Sequence, residues 1–250
     1  MRALSALTLI LILLGGCVSA PPPVAAPVAV EAPFVVQPER MAAKRVAALA
    51  GPVDLVFIGD SITQNYDRVS EKVEENYKPV WDAFYGSRHA LNLGYGMDTS
   101  AATLWRFAHG ELDGIAPKLA VILIGTNDTN LGHSARETFS DVEVVVNAAH
   151  ERMPHARLLL IGILPSDKST AKSKADAEVN ALLAARYTAS EFVTFIDIAS
   201  VFRKEGQLDR SLYVEKGPHE ALHPNVSGQA VMARAIEPTV ARLLGEPSLK

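Results

Sequence analysis

Four short blocks of this sequence carry the residue types that acyl-transfer chemistry needs. A serine hydroxyl attacks a carbonyl only when a neighbouring base takes its proton, and Ser61 and His223 could supply these two groups. The Gly94 N–H and the Asn127 side-chain amide could each donate a hydrogen bond to the oxyanion that forms during the attack. The blocks are Gly59-Asp60-Ser61, Asn92-Leu93-Gly94, Gly125-Thr126-Asn127-Asp128 and Leu222-His223-Pro224-Asn225.

A carboxylate lies close to the candidate base in the sequence. Glu220 precedes His223 by three residues, and it could accept a hydrogen bond from the far ring nitrogen and so hold the useful tautomer. Read alone, each block also has an ordinary structural explanation, because Asn127 could cap a turn and Gly94 could form a bend. The joint occurrence of nucleophile, base and oxyanion donors favours catalysis.

The segment His219-Glu220-Ala221-Leu222-His223 also matches the short zinc-protease pattern H-E-x-x-H. That chemistry requires both histidines on one face of a helix and a third ligand downstream. Pro224 disfavours helical geometry at His223, and the longer form of the pattern would need Gly and His where Val226 and Gln229 stand. We therefore predict that this segment holds no metal.

Short apolar runs alternate along the chain with segments of helical periodicity. Such runs suit strands that are buried on both faces of a sheet. Their alternation with helices predicts right-handed crossovers, and therefore an α/β domain of three layers, α/β/α, around a parallel, doubly wound sheet of about five strands. The predicted strands are 53–58, 89–93, 119–124, 157–163 and 192–197, and the predicted helices are 39–50, 69–77, 99–109, 135–152, 171–189 and 227–244.

This architecture explains how residues far apart in the sequence could meet. The carboxyl ends of parallel strands lie at one edge of the sheet, which is where open α/β sheets bind their ligands. Ser61, Gly94 and Asn127 each stand at or just after the end of a predicted strand. We expect all three to lie at that edge, with His223 brought to them by the loop before the last helix.

The four blocks, in this order, resemble those of the SGNH hydrolases, also called the GDSL esterase family. The stretch from His89 to Asn127, with Leu104-Trp105-Arg106 and Gly110-Glu111-Leu112 inside it, is similar to the platelet-activating-factor acetylhydrolase catalytic subunits and their bacterial relatives. The resemblance covers roughly 53–244 and implies a flavodoxin-like fold, with Ser61 as nucleophile and His223 as general base. It also implies an oxyanion hole made by the Ser61 N–H, the Gly94 N–H and the Asn127 side chain.

The resemblance carries further expectations and one departure. It implies that no metal or organic cofactor is needed, and it allows a homodimer. The family pattern has Asp three residues before the histidine, whereas this chain has Glu220 there. Because the side chain is one methylene longer, we expect a working triad with slightly altered geometry, or else a Ser-His dyad supported by a backbone carbonyl.

The N-terminal region resembles a bacterial lipoprotein leader. Residues 1–16 read as a signal peptide with an apolar stretch too short for a permanent span, and Leu14-Gly15-Gly16-Cys17 resembles a lipobox that ends in an acylated cysteine. Residues 17–38 are rich in Pro and Ala and predict an extended linker, and residues 39–250 form the predicted hydrolase domain. The alternative is an ordinary signal peptide, in which case the protein would be secreted without a lipid at Cys17.

Composition limits the other function classes. The formal net charge is −4 and no basic cluster stands out, which argues against nucleic acid as a partner. With one cysteine, no intramolecular disulfide can form. We therefore expect a serine esterase in the bacterial cell envelope, with the outer membrane favoured and membrane contact through the lipid anchor only.

The expected substrate is a small-molecule ester with a small acyl group. The acetylhydrolase resemblance favours acetyl, an acetylated carbohydrate is the favoured substrate, and a lipid ester is the alternative. Tyr95, Met97 and Leu131 follow the catalytic blocks closely, and we expect them to line the acyl site. A different class of function, a binding lipoprotein without turnover, is disfavoured because Ser61 and the other catalytic residue types are all present.

Overall fold

The computed structural model describes residues 32–214 and 220–249. The predicted signal peptide, Cys17 and most of the predicted linker lie outside the described residues, as does His219 of the zinc-like pattern. Within the described ranges, no helix has the length and apolar character needed to cross a lipid bilayer.

The core of the fold is a parallel sheet of five strands in the order β2-β1-β3-β4-β5. The predicted α/β class and the parallel sheet are therefore confirmed. Residues of neighbouring strands pair in direct register, as in Ile58 with Leu93 on one side and Ile58 with Ile122 on the other. The strands are β1 (Leu55–Gly59), β2 (Ala90–Gly94), β3 (Leu119–Leu123), β4 (Arg157–Ile161) and β5 (Val193–Ile196).

Helices cover both faces of this sheet, because successive side chains of each strand point to opposite faces and both sets are apolar. On β1, Val56 and Ile58 pack into one core and Leu55 and Phe57 into the other. The helices are α1 (Pro38–Leu49), α2 (Ser61–Gln64), α3 (Lys78–Tyr85), α4 (Ser100–Ala108), α5 (Thr126–Asn130), α6 (Ala135–Arg152), α7 (Thr170–Tyr187) and α8 (Val226–Leu244). Helices α4, α6 and α7 pack side by side, and α3 packs against α8. A short hairpin, β6 (Arg203–Lys204) and β7 (Gln207–Leu208), lies outside the main sheet.

One predicted helix is wrong. Residues 69–77 contain only a single 3₁₀ turn, Val73–Glu75, and the helix of this region is α3 instead. Val69 and Val73 are 72% and 79% exposed, so the apparent periodicity marked no buried face. Pro79 lies in the first turn of α3, where its fixed φ and missing N–H fit a helix start.

The aromatic residues of α3 form a buried cluster beneath the edge where β1 ends. Trp81 and Tyr85 pack against Phe57 with ring centroids 5.2 and 4.5 Å apart, and Tyr66 lies 5.6 Å from Trp81. Trp81 is only 6% exposed. It is therefore a core residue and not part of an open sugar-binding surface.

The last residues of the predicted linker are bound to the domain. We call residues 32–37 the arm. Pro33 is buried, and the buried guanidinium of Arg106 donates to the carbonyls of Val35 and Val36 over 3.3 and 2.9 Å. The extended, proline-containing backbone cannot satisfy its own carbonyls, and Arg106 supplies the missing donors. The arm therefore belongs structurally to the domain.

Helix α8 follows the loop that carries the candidate base, and it is fixed to the domain by a buried ion pair. Arg88 donates two hydrogen bonds to the carboxylate of Glu237, at 2.6 and 2.9 Å, and both side chains are at most 4% exposed. A second carboxylate, that of Glu246, accepts from Arg88 Nε at 2.9 Å. Removing one partner of such a pair leaves an uncompensated buried charge.

We predict that Glu237→Ala lowers the free energy of unfolding by about 3–5 kcal/mol, because Arg88 then remains buried opposite only Glu246. Urea unfolding followed by circular dichroism measures this loss. As a control, the double variant Arg88→Met/Glu237→Leu removes both charges and should recover most of the stability. Equal losses in the single and double variants would contradict the prediction.

Candidate active site

Ser61 stands at the sharp turn between β1 and the short helix α2. Asp60 caps α2, because its carboxylate accepts a hydrogen bond from the Ile62 N–H over 2.8 Å. Gly59 is required by close packing, since a Cβ there would lie 2.4 Å from the Leu123 carbonyl oxygen. As the first residue of a helix, Ser61 has a backbone N–H without an intrahelical acceptor, and that N–H can serve a ligand.

The candidate nucleophile and base are in contact. Ser61 Oγ lies 2.8 Å from His223 Nε2, although the two residues are 162 positions apart in the chain. With the proton on Nδ1, Nε2 accepts the serine hydroxyl proton, which is the arrangement general-base catalysis needs. His223 lies in a bend before α8 and is only partly buried, so a substrate can approach the pair.

The loop that carries His223 is held by its neighbours at three points. Asp167, just beyond β4, accepts from the Ala221 N–H at 2.8 Å, and its own N–H donates to the Ala221 carbonyl at 3.1 Å. The Val214 N–H donates to the His223 carbonyl at 2.9 Å. Asn225 caps α8 through the Gly228 N–H at 3.0 Å. These bonds fix the position of the imidazole.

A buried glutamine links the base to the nucleophile. Gln229, in the first turn of α8, is fully buried, and its Nε2 donates to the Ile62 carbonyl of α2 over 2.6 Å. Helix α2, which begins at Ser61, and helix α8, which follows His223, are therefore joined by a direct hydrogen bond. Sequence reasoning noted Gln229 only as evidence against the zinc pattern, and missed this role.

Asn127 lies just beyond β3, at the edge of the sheet where the sequence predicted it, in the first turn of a short helix, α5, that the sequence did not predict. Its Nδ2 donates to the Asp98 carbonyl over 2.8 Å, and the residue is only 6% exposed. A side-chain amide has two N–H groups, so this bond orients the side chain and leaves the second N–H available. Asp98 is itself fixed by a buried ion pair with Arg106, at 2.6 and 2.8 Å.

The Gly94 N–H is already engaged inside the protein. It donates to Asn92 Oδ1 over 2.9 Å, and a Cβ at Gly94 would lie 2.3 Å from the backbone nitrogen of Gln64. Gly94 is therefore needed for the close approach of β2 and α2. The geometry does not favour its N–H as an oxyanion donor, because the bond to Asn92 would have to break first.

Another backbone N–H at this edge is better placed. The Asp98 N–H donates to the Tyr95 carbonyl over 3.2 Å, which closes a turn, and Met97 has φ +69° within it. No acceptor among the described residues takes the Met97 N–H. Gly96 of the same turn lies against the nucleophile, since a Cβ built on it would be 4.0 Å from Ser61 Cβ. Met97, next to Gly96, is a left-handed non-glycine residue, which is the kind of strain found at functional sites.

Glu220 is exposed, and within the described ranges no hydrogen bond or ion pair joins its carboxylate to His223. Residues 215–219, which precede it, lie outside the described part. Its place in the triad therefore remains a prediction.

The zinc-like pattern does not form the required helix at His223, because α8 begins only at Val226. One other group could in principle hold a cation among the described residues, namely Asp128, His133 and Asp141, whose ligand atoms lie within 4.8 Å of one another. Asp128 already accepts from the Ser100 N–H at 3.1 Å, so this group has an ordinary structural role.

A cavity of about 390 Å³ opens next to Asn127. Met97 and Leu131 line it, as the sequence predicted for a substrate-binding wall, and Phe34 of the arm lines it from the other side. Tyr95, in contrast, is fully buried beneath Arg106, whose guanidinium carbon lies 3.7 Å from the ring centroid. Tyr95 therefore supports the site from below and does not line it.

Burial changes the acid behind the nucleophile. Asp60 is fully buried, and this raises its pKa from the ordinary value near 3.8 to about 7, while the hydrogen bond from the Ile62 N–H acts in the opposite direction. The carboxyl group is therefore partly protonated near neutral pH. It lies next to Ser61 in the sequence and caps α2.

Residues 57–231 match the sequence model of the GDSL-like lipase/acylhydrolase family. Among curated proteins, the rat platelet-activating factor acetylhydrolase IB subunit alpha2 is 30% identical over 196 residues, 77% of this chain and 78% of the rat protein. The human alpha1 subunit is 29% identical over 195 residues, 77% of this chain and 78% of the human one.

Solved structures share the fold. A protein from Streptococcus described as a putative platelet activating factor superposes with a TM-score of 0.63 at 19% identity, covering 82% of this chain and 92% of that one. A carbohydrate acetylesterase from Sinorhizobium meliloti superposes with a TM-score of 0.55 at 15% identity, covering 77% of this chain and all of that one. At these identities the likeness supports the three-layer fold.

We predict that Asp60→Asn removes a pH-dependent loss of stability. Because the folded-state pKa is raised, the protonated carboxyl of Asp60 stabilises the folded state fully below about pH 4. This stabilisation is lost as the pH rises to about 7, and the free energy of unfolding falls by at most about 1.4 kcal/mol per pH unit in between. Asparagine keeps the acceptor for the Ile62 N–H and cannot ionise. As the pH rises from 5 to 8, the melting temperature of the wild type should fall relative to that of the variant.

The control for this measurement is Asp113→Asn, which alters an exposed aspartate on a turn. Its melting temperature should follow that of the wild type at every pH. Parallel curves for Asp60→Asn and the wild type would contradict the prediction, because they would show that Asp60 does not change the pH dependence of stability in this range.

Proposed function

The chain belongs to the GDSL-like lipase/acylhydrolase family and is a carboxylic ester hydrolase, and we propose that it removes a small acyl group, acetyl, from an acetylated carbohydrate. The observation that carries the proposed mechanism is the 2.8 Å contact between Ser61 Oγ and His223 Nε2. The sharp turn after β1 and the bonds that hold the histidine loop keep this pair in place before any substrate arrives.

The reaction proceeds in two steps. Ser61 Oγ attacks the ester carbonyl and bonds to its carbon while His223 takes the hydroxyl proton, which gives a tetrahedral intermediate. The imidazolium then protonates the leaving alcohol as the ester C–O bond breaks, and the acyl-enzyme remains. In the second step, water attacks the acyl-enzyme with His223 again as base, and the acid and free Ser61 are released. Glu220 remains the proposed partner that holds the histidine tautomer.

We assign the oxyanion donors to Ser61, Asn127 and Met97. Among the described residues, no acceptor takes the Ser61 N–H at the start of α2 or the second N–H of Asn127 Nδ2. The Met97 N–H replaces that of Gly94, because the Gly94 N–H is bonded to Asn92. Donors fixed in advance stabilise the developing charge without reorganisation, and each contributes about 10²–10³ in kcat.

The names of relatives support the proposed acyl group and alcohol. The curated relatives are named as acetylhydrolases, and one structural neighbour is named as a carbohydrate acetylesterase. Both names support acetyl as the acyl group, and the second supports a carbohydrate as the alcohol. A lipid ester is the second candidate, because apolar side chains such as Phe34 and Leu131 are exposed beside the site.

We also propose that Cys17 carries the lipid anchor and that the enzyme works in the bacterial cell envelope. The support is the lipobox-like Leu14-Gly15-Gly16-Cys17 followed by a Pro- and Ala-rich stretch. Several acyl chains on one residue would anchor the protein stably, whereas a single chain binds only marginally. Expression of the full chain with Cys17→Ala should move the protein from the membrane fraction to the soluble fraction.

We predict distinct kinetic effects for the site variants on p-nitrophenyl esters of acetate, butyrate, octanoate and palmitate. Ser61→Ala should abolish turnover, and Asn127→Ala should lower kcat by about 10²–10³ without unfolding the protein. Glu220→Ala should lower kcat substantially, because the histidine tautomer is then unsupported. Steady-state kinetics with circular dichroism as the folding control measures all three.

The outcomes separate the candidates. Highest activity on acetate that disappears in Ser61→Ala supports the acetylesterase, and acetate release from acetylated xylan then tests the carbohydrate. Highest activity on the long chains favours the lipid candidate. An unchanged rate in Glu220→Ala would remove Glu220 from the triad and leave a Ser-His dyad.

A further inference from the structure

The cavity beside Asn127 is completed by a segment outside the family-matched region. Its walls come from the turn at Met97, from Leu131 after α5, and from the arm, residues 32–37, which precedes the matched residues 57–231. The arm therefore adds to this chain a wall that the matched region does not contain.

Three large apolar side chains of this cavity are exposed to solvent. Phe34 is 89% exposed, Leu131 is 64% exposed and Met97 is 48% exposed. Single exposed apolar residues are common, but their convergence on one cavity next to a proposed oxyanion donor indicates a binding surface. Among the residues that the structure describes, no charged side chain lines the cavity. A ligand that fits it is therefore uncharged and largely apolar.

The arm is fixed to the catalytic turn by side-chain bonds. Gln37 accepts from Gln64 Nε2 at 3.0 Å and donates to the Gly96 carbonyl at 3.4 Å, while Gln64 accepts from the Gly96 N–H. Gln37 itself has φ +53°, a conformation that costs a non-glycine residue about 1–2 kcal/mol and persists only where the surroundings impose it.

Arg106 provides a second attachment. The same guanidinium that donates to the Val35 and Val36 carbonyls pairs with Asp98, whose own carbonyl orients the Asn127 amide. The arm and the proposed oxyanion hole therefore share one buried group. Phe34 directly precedes Val35, the first residue of this attachment, and lines the cavity.

We propose that this cavity is a specificity subsite for an uncharged, largely apolar part of the ester, and that Phe34 of the arm is a specificity-determining residue. The inference rests on the proposed function for the reaction itself. At about 390 Å³ the cavity lies within the range of about 300–1,000 Å³ for small-molecule sites, and an acetyl methyl group alone would leave most of it empty. With the acetyl group of the proposed function, its occupant is an apolar part of the alcohol, whereas a longer acyl chain in it would favour the lipid-ester candidate.

Two series of esters test the subsite and identify the side that fills it. One series varies the acyl chain of p-nitrophenyl esters from acetate to octanoate, and the other varies the alcohol of acetate esters from methyl to octyl. In the series that varies the side filling the cavity, kcat/KM of the wild type should rise by about fourfold per methylene group until the cavity is full. Phe34→Ala and Leu131→Ala should flatten this rise.

The matched control is Val46→Ala, which removes another exposed apolar side chain, 70% exposed on α1 and away from the cavity. This variant should follow the wild type in both series. Phe34→Leu should keep most of the chain-length dependence, and Phe34→Asp should abolish it. A wild type without chain-length dependence, or equal losses on all esters in Phe34→Ala, would overturn the subsite.

A binding measurement keeps this inference separate from the esterase proposal. The uncharged fluorophore N-phenyl-1-naphthylamine should bind the full chain saturably. Phe34→Ala should raise its Kd at least fivefold, and Val46→Ala should leave the Kd unchanged. If no ester is hydrolysed but the fluorophore shows this pattern, the proposed function fails and the subsite stands. If no ester is hydrolysed and the fluorophore binds all variants alike, both fail.

Discussion

The whole site depends on the point at which the strand order reverses. From β1 the chain first builds β2 on one side of it and then crosses to build β3 on the other side. The connections that leave β1 and β3 must therefore diverge, and a crevice opens between them at the carboxyl edge of the sheet. Ser61 follows β1, Asn127 follows β3, and the crevice between them is where a substrate carbonyl can lie.

The elements around this crevice bury charged side chains in pairs of opposite charge. Arg106 and Asp98 pair beneath Asn127, while Arg88 and Glu237 hold the helix that follows His223. Pairs of this kind contribute little net stability, but the loss of one partner is costly, so they favour a single arrangement of the surrounding backbone. We infer that they are kept for the precision of the site rather than for the stability of the domain.

The sequence was sufficient for the features that follow from local pattern. The buried strands could be predicted because short apolar runs between turn residues suit strands buried on both faces. The Ser61, Asn127 and His223 blocks could be predicted because a nucleophile, an amide donor and a base occur together. It was insufficient where a role depends on three-dimensional contact. Nothing local shows that the Gly94 N–H is taken by Asn92, or that Met97 adopts a left-handed turn that glycine usually fills.

The same distinction explains the remaining differences. The helix predicted over 69–77 failed because its apolar residues face solvent, which a single sequence does not reveal. Gln229, Asp167 and Gln37 act through backbone groups far away in the chain, at Ile62, Ala221 and Gly96. A glutamine or aspartate carries no sequence signal for such a bond, although Asp167 does follow a predicted strand end at the same edge of the sheet.

The docked arm also sets how far the catalytic centre can travel from a surface. The chain joins the domain at Ala32, beside the cavity, and about fifteen residues separate that point from Cys17. At about 3.3–3.6 Å per residue, this length spans at most about 50 Å when fully extended. With a lipid at Cys17, the enzyme would meet only esters within about this distance of the membrane surface, apart from the size of the domain itself. Esters held on the same surface would then be presented at a much higher effective concentration than esters free in solution.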